Sequence, residues 1–429
     1  MNLRVISVAV VFFLFSSASL WAQEPLTLRD CFKAALKQSE VLATQQEVVI
    51  QAEQNYRRAW AAILPSLNGS YAYFHPHAPG LTDSGNTSNT SWQQTLVLTA
   101  DQPLFRGFRD FAAIHAAKST ITQQQLAWQW AGLQLYQDTA QAFYTQLAVQ
   151  KDLQVLDGEL AQYQQIITEL QKRVSIGRSR VTEVLTIQAA QAILNAQREQ
   201  VAGQLDVARE VLAFLTGLGP DVRLDDADPV PSMIEPLDAY QSEISARPDI
   251  LAAQKNIRAF KSKISQAKGE YLPSVDLVSN YFVERPDRHS QGNWDVEIAV
   301  TLPIFTWGSR AADIKTAQSQ ERQAELQLSQ VERMARQEVR SLYFSYKSDL
   351  AQTRALEEAF DIAQKNYDAN AKDYQSNLVT NLDVLQALTS FQDTQRSLEK
   401  IRYLVRTDFN KLEASVARRL KLLNELDKA

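Results

Sequence analysis

Two short stretches of this 429-residue chain decide its fold: Ile63-Leu64-Pro65-Ser66, and Tyr271-Leu272-Pro273-Ser274 about two hundred residues later. Two further motifs recur in the same order and at similar spacing. Pro103-Leu104-Phe105 returns as Pro303-Ile304-Phe305, and Glu183-Val184-Leu185 returns as Asp383-Val384-Leu385. Three ordered matches indicate a tandem duplication, so each half of the chain is predicted to contain one copy of a shared structural unit.

The duplication divides the chain into four predicted segments. Residues 1–22 are a signal peptide, residues 23–219 form the first repeat, residues 220–236 are a linker, and residues 237–429 form the second repeat. Each repeat is expected to contain a β-hairpin, at about 67–103 and about 274–303. The linker is marked by prolines, which cannot continue a helix; the prolines at and around it are Pro220, Pro229, Pro231, Pro236 and Pro248.

The N-terminus predicts export from the cytoplasm. Arg4 precedes an almost wholly apolar run at 5–20, and Ala22 supplies a small residue for cleavage. The alternative is a transmembrane anchor, but the run is short for a stable span and no cluster of charges follows it. Cys31 is the only cysteine, which excludes disulfides within the chain, and no lipid-attachment motif stands directly before it.

Composition narrows the class of protein further. The chain is 45% hydrophobic and 22% charged, with a net charge of −5. Because Lys and Arg are neither in excess nor clustered, binding to nucleic acid is disfavoured. The mature chain also has no second apolar stretch long enough to cross a bilayer as a helix.

Long helical stretches dominate both repeats. Residues 110–174 are rich in helix formers and have apolar residues on two stripes, which predicts helical neighbours on two sides. A plain antiparallel coiled coil, the alternative, would show a single seam. At roughly 1.5 Å per residue this helix would be about 100 Å long. The stretches 26–63 and 183–217 are each about half as long and would stack end to end beside it, and 309–374 with 237–268 and 383–416 repeat the arrangement.

Between the repeated motifs the pattern changes to the period of two that is typical of strands. Val296, Ile298 and Val300 alternate with Glu297 and Ala299 over a length that a tilted strand needs to span a bilayer. A soluble hairpin with one wet face is the alternative. Four strands cannot close a barrel, and open edges cannot lie in lipid, so the chain is expected to oligomerise; three copies would give twelve strands.

Taken together, these motifs resemble the TolC-like outer-membrane efflux proteins. The resemblance covers essentially the whole mature chain, and the six motifs in order are specific although each alone is weak. It implies a mostly α fold with a membrane β-barrel: duplicated helical hairpins form a trimeric periplasmic α-barrel, and four strands per protomer contribute to a 12-stranded outer-membrane barrel. The implied partners are outer-membrane lipid, a periplasmic adaptor, and an inner-membrane pump of RND, ABC or MFS type.

The resemblance also implies where the pore closes. In the family, the turns between long and short helices contact the adaptor, and residues just inside them narrow the pore. Glu183, Tyr374 and Asp383 correspond to such positions, while Gln386 stands where members often carry a second acid. The corresponding adaptor-contacting residues are Ser175, Ile176, Gly177, Asn377, Leu378, Val379 and Thr380.

The basic residue that the family carries near Val379 is absent here. We therefore expect Arg178 and Arg180 of the first turn to take its place, pairing with a carboxylate such as Glu183, Asp373 or Asp383 to hold the resting pore shut. The alternative is that both arginines are exposed charges that contact solvent or the adaptor.

Nothing in the sequence predicts catalysis or a bound cofactor. His75-Pro76-His77 has no carboxylate nearby, no phosphate-binding loop or nucleophile elbow is present, and Cys31 has no evident base. The favoured function is a passive exit duct whose energy comes from a partner pump. The alternative is a structural or adhesive coiled-coil protein, for which two membrane-length hairpins would have no use.

Overall fold

The computed structural model describes residues 25–75, 92–226, 231, 233–285, 292–376 and 378–426. The predicted signal peptide, most of both hairpin loops, part of the linker and Asn377 lie outside the described residues. The described parts of the two repeats pack against each other through several helices and one sheet.

One antiparallel sheet joins the hairpins of both repeats. Its strands follow one another in chain order, so β2 of the first repeat pairs with β3 of the second, while β1 and β4 are the two edges. The strands are β1 (Ser66–Phe74), β2 (Gln93–Arg106), β3 (Ser274–Glu284) and β4 (Trp294–Thr301). The two open edges carry backbone groups that another copy of the sheet could pair.

The strand register separates a polar face from an apolar one. On the polar face, Thr99 donates a hydrogen bond to Asn280 (2.7 Å), Asn280 donates to Asp295 (2.9 Å), and Arg106 pairs with Asp276 (2.9 Å). These bonds join β2, β3 and β4 across the sheet. Such a network suits a water-filled interior, where polar side chains of adjacent strands satisfy one another.

The opposite face is apolar and exposed. Leu277 pairs with Ile298 and Tyr281 with Trp294 across β3 and β4, and the side chains of Ile298 and Trp294 are 64% and 69% exposed in the protomer. This alternation confirms the predicted strand pattern. An apolar exposed face with aromatic residues near the strand ends is what a lipid-facing sheet requires.

Helices account for most of the other described residues, and two of them are very long. Each long helix contains 67 residues and therefore spans about 100 Å. In chain order the helices are α1 (Leu28–Gln38), α2 (Glu40–Ala61), α3 (Arg109–Ser175), α4 (Val181–Thr216), α5 (Leu237–Glu243), α6 (Pro248–Gly269), α7 (Ser309–Gln375), α8 (Asn381–Ser415) and α9 (Leu420–Leu426).

The contacts between the long helices and their partners define a wall of helices lying side by side. Near the sheet the order is α2, α3, α6, α7, and towards the far end it is α4, α3, α8, α7. The long helix α3 thus has neighbours on both sides, as its two apolar stripes predict. Helix α7 lies at one edge of the wall, and α2 and α4 lie at the other.

The stretches 26–63 and 237–268, each predicted from the sequence as a single helix, are both interrupted in the structure. The first is interrupted at Ser39, whose hydroxyl accepts a hydrogen bond from the Leu42 N–H (3.3 Å) and starts α2 as a separate helix. The second is interrupted by a single 3-10 turn (Ile244–Ala246) before Pro248, which begins α6. Helix α9 was not predicted.

These interruptions lie at mid-height, where the two repeats are fastened together. The Arg247 guanidinium is 2% exposed and contacts Asp249, Glu338 and the Ser415 carbonyl oxygen at 2.9 Å each, with Trp130 stacked 4.3 Å away. A buried cation is stable only with such a complete set of partners. The fully buried Arg247 therefore ties α6, α7, α8 and α3 together.

Candidate gate at the ends of the helical hairpins

The predicted turns at the far ends of the two hairpins have matching backbone bonds. The Arg178 N–H bonds to the Arg173 carbonyl oxygen at 2.8 Å, and the Leu378 N–H bonds to the Asp373 carbonyl oxygen at 2.9 Å. Each bond spans five residues and closes the last turn of a long helix. In the first turn Gly177 has φ +73°, a left-handed conformation that glycine adopts without strain.

Both turns present unpacked side chains to solvent. Ile176 and Leu378 are 65% and 74% exposed, Ser175, Gly177 and Thr380 are exposed, and Val379 is half-buried. Asn377, also predicted to contact an adaptor, lies outside the described residues. Two exposed aliphatic side chains at the end of a helical hairpin form a small apolar surface suited to contact with another protein.

Asp383 stands at the first turn of α8, three residues after Thr380. Its carboxylate accepts hydrogen bonds from the Thr380 backbone N–H (2.8 Å) and hydroxyl (2.6 Å). The Asp383 backbone N–H donates in return to the Thr380 hydroxyl oxygen (3.3 Å), which completes a capping box. These bonds hold the pKa of Asp383 below its usual value of 3.8. The carboxylate is therefore ionised and fixed in position. Gln386 lies one turn further along, on the same exposed face.

The polar face that begins at Asp383 continues along α8. Four more polar residues follow Asp383 at intervals of three or four residues, so all of them lie on the same side of the helix. All are exposed in the protomer: Gln386, Ser390, Asp393 and Ser397. A hydrated face of this kind can line a pore.

The structure places Glu183 in a local contact. The Ser179 hydroxyl donates a hydrogen bond to the Glu183 carboxylate at 2.6 Å. Arg178, Arg180 and the three carboxylates proposed as their partners are all among the described residues. Within the protomer, neither arginine comes within 4.0 Å of the carboxylate of Glu183, Asp373 or Asp383. The hypothesis that these arginines pair with one of those carboxylates to hold the pore shut stays a prediction.

The cation nearest to Tyr374 is a residue that the sequence analysis missed. Arg173 of α3 lies 4.7 Å from the centre of the Tyr374 ring and forms an ion pair with Glu169 at 2.9 Å. Burial raises the pKa of Tyr374, so its hydroxyl stays protonated. This contact joins the end of α7 to the end of α3 beside a cleft of about 370 Å³ between the two hairpins.

A second set of contacts joins the hairpins higher up. The guanidinium of Arg396 on α8 binds both carboxylate oxygens of Asp152 on α3, at 2.6 and 3.0 Å. Gln392 donates to Gln162 at 3.3 Å in the same interface. A two-point arginine–carboxylate pair is more directional than a single contact. The partners are 244 residues apart in sequence, so no local pattern could have predicted the pair.

Glu159 lies in this interface without a hydrogen bond to one of its oxygens. The side chain is 4% exposed, and among the described residues its Oε1 atom has no hydrogen-bond partner. Burial raises the pKa of Glu159 to about 7, against the attraction of nearby Arg396. The carboxyl group is therefore protonated over much of the acidic range.

The described residues offer no metal site of the usual kind and no membrane-spanning helix. They contain no group of three or more His, Cys, Asp or Glu placed to hold a metal ion. Within the same residues, no helix is long and apolar enough to cross a bilayer. Cys31 is fully buried, and burial raises its pKa to about 12, so the thiol is inert. His77 lies outside the described residues.

Comparison with known proteins gives consistent matches. The family described as outer membrane efflux protein matches residues 32–218 and 239–418. Each matched segment falls within one of the two predicted repeats. Cation efflux system protein CusC of Escherichia coli (strain K12) is 24% identical over 367 residues, covering 83% of this chain and 78% of CusC. Proteases secretion protein PrtF of Dickeya chrysanthemi is 23% identical, covering 92% of this chain and 89% of PrtF.

Solved structures share the architecture. A CusC crystal structure has a TM-score of 0.80 at 21% identity and covers 91% of both chains. The outer membrane protein VceC of Vibrio cholerae has a TM-score of 0.78 at 22% identity, covering 91% of this chain and 95% of VceC. At these identities the likeness shows the fold, and the family match extends over both repeats. The chain belongs to the outer membrane efflux protein family, with its sheet in the outer membrane and its helices in the periplasm.

Proposed function

We propose that this chain works as a homotrimeric exit duct, receiving cargo from a periplasmic adaptor and an inner-membrane pump and conducting it passively to the exterior. The observation that carries the proposal is the combination of a sheet with one polar face and a wall of helices that ends in two exposed turns. A scaffold protein without transport would not need the polar face, and no feature of the described residues favours one.

The sheet supports assembly in threes. Its edge strands β1 and β4 have unpaired backbone groups, and a sheet in lipid must close because no water is available to satisfy them. One protomer has too few strands to enclose a lumen. Three protomers supply twelve strands, enough for a barrel with a wet interior.

The edge helix α7 has an apolar stripe that no other described residue covers. Leu326, Phe344 and Ile362 are 67%, 52% and 59% exposed. They recur at intervals of 18 residues, which equals five helical turns, so they lie on one straight line along the helix. Such a line is expected where a second helix packs alongside.

The opposite edge helix, α4, carries the matching stripe. Ile193 and Val211 are 65% and 47% exposed and are also 18 residues apart. Ile193 follows the start of α4 by 12 residues, and Ile362 precedes the end of α7 by 13. Val211 and Phe344 are likewise level with each other. When α7 of one copy lies against α4 of the next, Ile362 meets Ile193 and Phe344 meets Val211, while Leu326 lies beyond the end of α4.

The gate, in this proposal, opens when the α7–α8 hairpin moves away from the α3–α4 hairpin. Within a protomer, the Arg396–Asp152 and Arg173–Tyr374 contacts resist that movement. Three Asp383 carboxylates would surround the axis just inside the turns and attract cations, because like charges close together in a narrow pore make a strong field. Gln386 and Glu183 would line the same constriction, and the exposed turns would contact the adaptor.

Arg178 and Arg180 have the remaining role in this proposal. Both lie exposed at the first turn, and among the described residues no carboxylate lies within 4.0 Å of either. In a closed ring of three copies, they would face the second hairpin of a neighbour and pair with its Asp373 or Asp383. This pairing would hold the resting aperture narrow.

Conductance in planar bilayers tests the proposal. Purified wild-type trimer should form narrow, cation-selective channels. Arg396→Gln should raise the resting conductance because it frees α8 from α3. Arg198→Gln is the matched control, since Arg198 pairs with Asp157 at 2.9 Å inside one hairpin and does not join the two. Asp383→Ala should lower the selectivity for cations.

Three outcomes would contradict the proposal in different ways. If wild-type protein forms no channels, the duct itself is wrong. Equal effects of Arg396→Gln and Arg198→Gln would show that contact between hairpins does not control the aperture. Unchanged selectivity in Asp383→Ala would remove the carboxylate ring from the conduction path.

A further inference from the structure

A band of positive charge surrounds the helices just below the sheet. We define the collar as the thirteen residues nearest to the sheet in each of four helices, namely 49–61, 109–121, 257–269 and 309–321. The collar contains ten Lys and Arg against four Asp and Glu, a net charge of +6. Since the whole chain carries −5, the collar reverses the overall sign.

Exposed aromatic residues lie at the sheet end of the collar or between the collar and the lipid-facing strands. Their side chains are between 43% and 89% exposed in the protomer: Trp60, Phe108, Phe111, Tyr271, Phe305 and Trp307. Aromatic side chains collect at the level of lipid headgroups because their rings are apolar and their edges tolerate water. The aromatic residues therefore mark the depth of the membrane interface.

The backbone holds two of these aromatics in place at a cost. Phe108 and Trp307 have φ values of +60° and +49°, beside Gly107 and Gly308 at +63° and +81°. Bulky residues rarely adopt this left-handed conformation. Both repeats use the same double turn between strand and long helix, although the order of glycine and aromatic is reversed. Such strain is expected where position matters to function.

Several collar cations share a helix face with the aromatics. Arg57 lies three residues before Trp60, and Lys118 lies two turns after Phe111. Lys268 lies three residues before Tyr271, whose ring centre is also 5.9 Å from the guanidinium of Arg310. The side chains of Arg57, Lys118 and Lys268 are exposed. They therefore lie at headgroup depth, on the side of the helices where the aromatics enter the interface.

The exposed cations of the collar have few partners within the protomer. Among the described residues, no carboxylate lies within 4.0 Å of Arg57, Lys118 or Lys268, whereas Lys261 has Glu321 at 4.0 Å. An unpaired cation at the edge of a bilayer can bind lipid phosphate without first breaking an ion pair. Clusters of four to eight Lys and Arg next to a membrane segment attract anionic lipid.

We propose that the collar binds the headgroups of anionic phospholipids, such as phosphatidylglycerol, in the periplasmic leaflet of the outer membrane. Three protomers would give a ring of net charge +18 around the base of the barrel. The ring would retain anionic lipid and fix the depth and tilt of the tube. This proposal requires only that the sheet lies in the membrane, so it stands or fails separately from the gate and the pump.

Tryptophan quenching by brominated lipid tests the proposal, because Trp60 and Trp307 lie at the predicted contact. Trimer is reconstituted in bilayers that contain brominated phosphatidylglycerol or brominated phosphatidylethanolamine. Wild-type protein should bind the anionic lipid about tenfold more tightly at low salt. High salt should remove most of the difference. The collar variant Arg57→Gln/Lys118→Gln/Lys268→Gln should lose the preference.

The matched control removes the same charge elsewhere. Lys172, Lys347 and Lys372 are exposed lysines outside the collar, and Lys172→Gln/Lys347→Gln/Lys372→Gln should keep the wild-type preference. If wild-type protein binds both lipids equally, or both triple variants lose the preference alike, the proposal is wrong. Competition by millimolar inorganic phosphate would also overturn it. If the triple collar variant fails to assemble, the single variant Lys268→Gln should still bind the anionic lipid less tightly than the wild type does. The loss of lipid preference of the wild type at high salt then provides a second test.

Discussion

Substitution of Glu159 by glutamine should make the protein less sensitive to pH. Glu159 lies 4% exposed between α3 and α8, and burial raises the pKa of its carboxyl group from 4.5 to about 7. The folded protein therefore keeps this proton at pH values where the unfolded chain has released it. The nearest titratable and charged groups are Asp152 and Tyr163 of α3 and Asp393 and Arg396 of α8.

The sign of the effect follows from proton binding. Between pH 4.5 and about pH 7 the folded state binds more protons than the unfolded state, so the free energy of unfolding falls as the pH rises. The stability linked to Glu159 is fully present below pH 4.5 and is lost as the pH passes about 7. A shift of this size is worth at most about 3 kcal/mol per protomer. Glutamine has no proton to lose, so Glu159→Gln should remove this slope.

Thermal unfolding followed by circular dichroism provides the assay, with trimer in detergent between about pH 4.5 and pH 8. The apparent Tm of wild-type protein should fall further over this range than that of Glu159→Gln, which should be the more stable protein at pH 8. Glu210→Gln, which alters an exposed carboxylate of α4, should follow the wild type. A constant difference in Tm between wild type and Glu159→Gln at every pH would refute the reasoning.

Two further predictions concern the sheet and its junction with the helices. Ile298→Lys should cost about 2–4 kcal/mol and reduce the yield of trimer in outer-membrane fractions, because the side chain faces lipid. Ala299→Lys, on the polar face, should assemble normally. Equal yields of the two variants would show that the assignment of residues to the two faces of β4 is wrong. Gly107→Ala should lower the apparent Tm, because a Cβ atom there would overlap the Gly269 carbonyl oxygen. The control Gly158→Ala, whose Cβ atom would have nothing within 4 Å, should leave the Tm unchanged or raise it. Similar losses of Tm in both variants would exclude this contact as the cause.

The repeated motifs and the positions of helix-breaking residues were sufficient to predict much of the fold. No proline lies inside α3 or α7, and only Gly132 and Gly158 of α3 weakly oppose the helix, so the two 67-residue helices could be anticipated to within a residue or two at each end. The alternation around Ile298 predicted the two faces of β4. The helical stretch predicted from Asp383 corresponds to α8, which begins two residues earlier, at Asn381, because Thr380 and Asp383 cap it.

Contacts between distant parts of the chain could not be predicted. Asp152 and Arg396 are ordinary helix residues in sequence, and only the fold brings α3 beside α8. Arg173 was overlooked for the same reason, since its contact with Tyr374 joins different repeats. The interruption at Ser39 rests on one weak signal, a hydroxyl that can cap a helix or lie on its surface equally well. Such choices are decided by packing at mid-height, which a single sequence does not reveal.

The central claim is that copies of this chain close into a tube by packing α7 of one against α4 of the next. A double variant with Ile193→Cys and Ile362→Cys tests it most directly. The two positions lie on opposite edges of one protomer, so a disulfide between them must join two copies. Cys31 can remain because it is fully buried and its pKa is raised to about 12.

Mild oxidation of the double variant in outer-membrane fractions should produce a covalent trimer on a denaturing gel, while each single-cysteine variant should remain monomeric. A double variant that reaches the membrane with wild-type yield but stays monomeric under oxidation would contradict the claim.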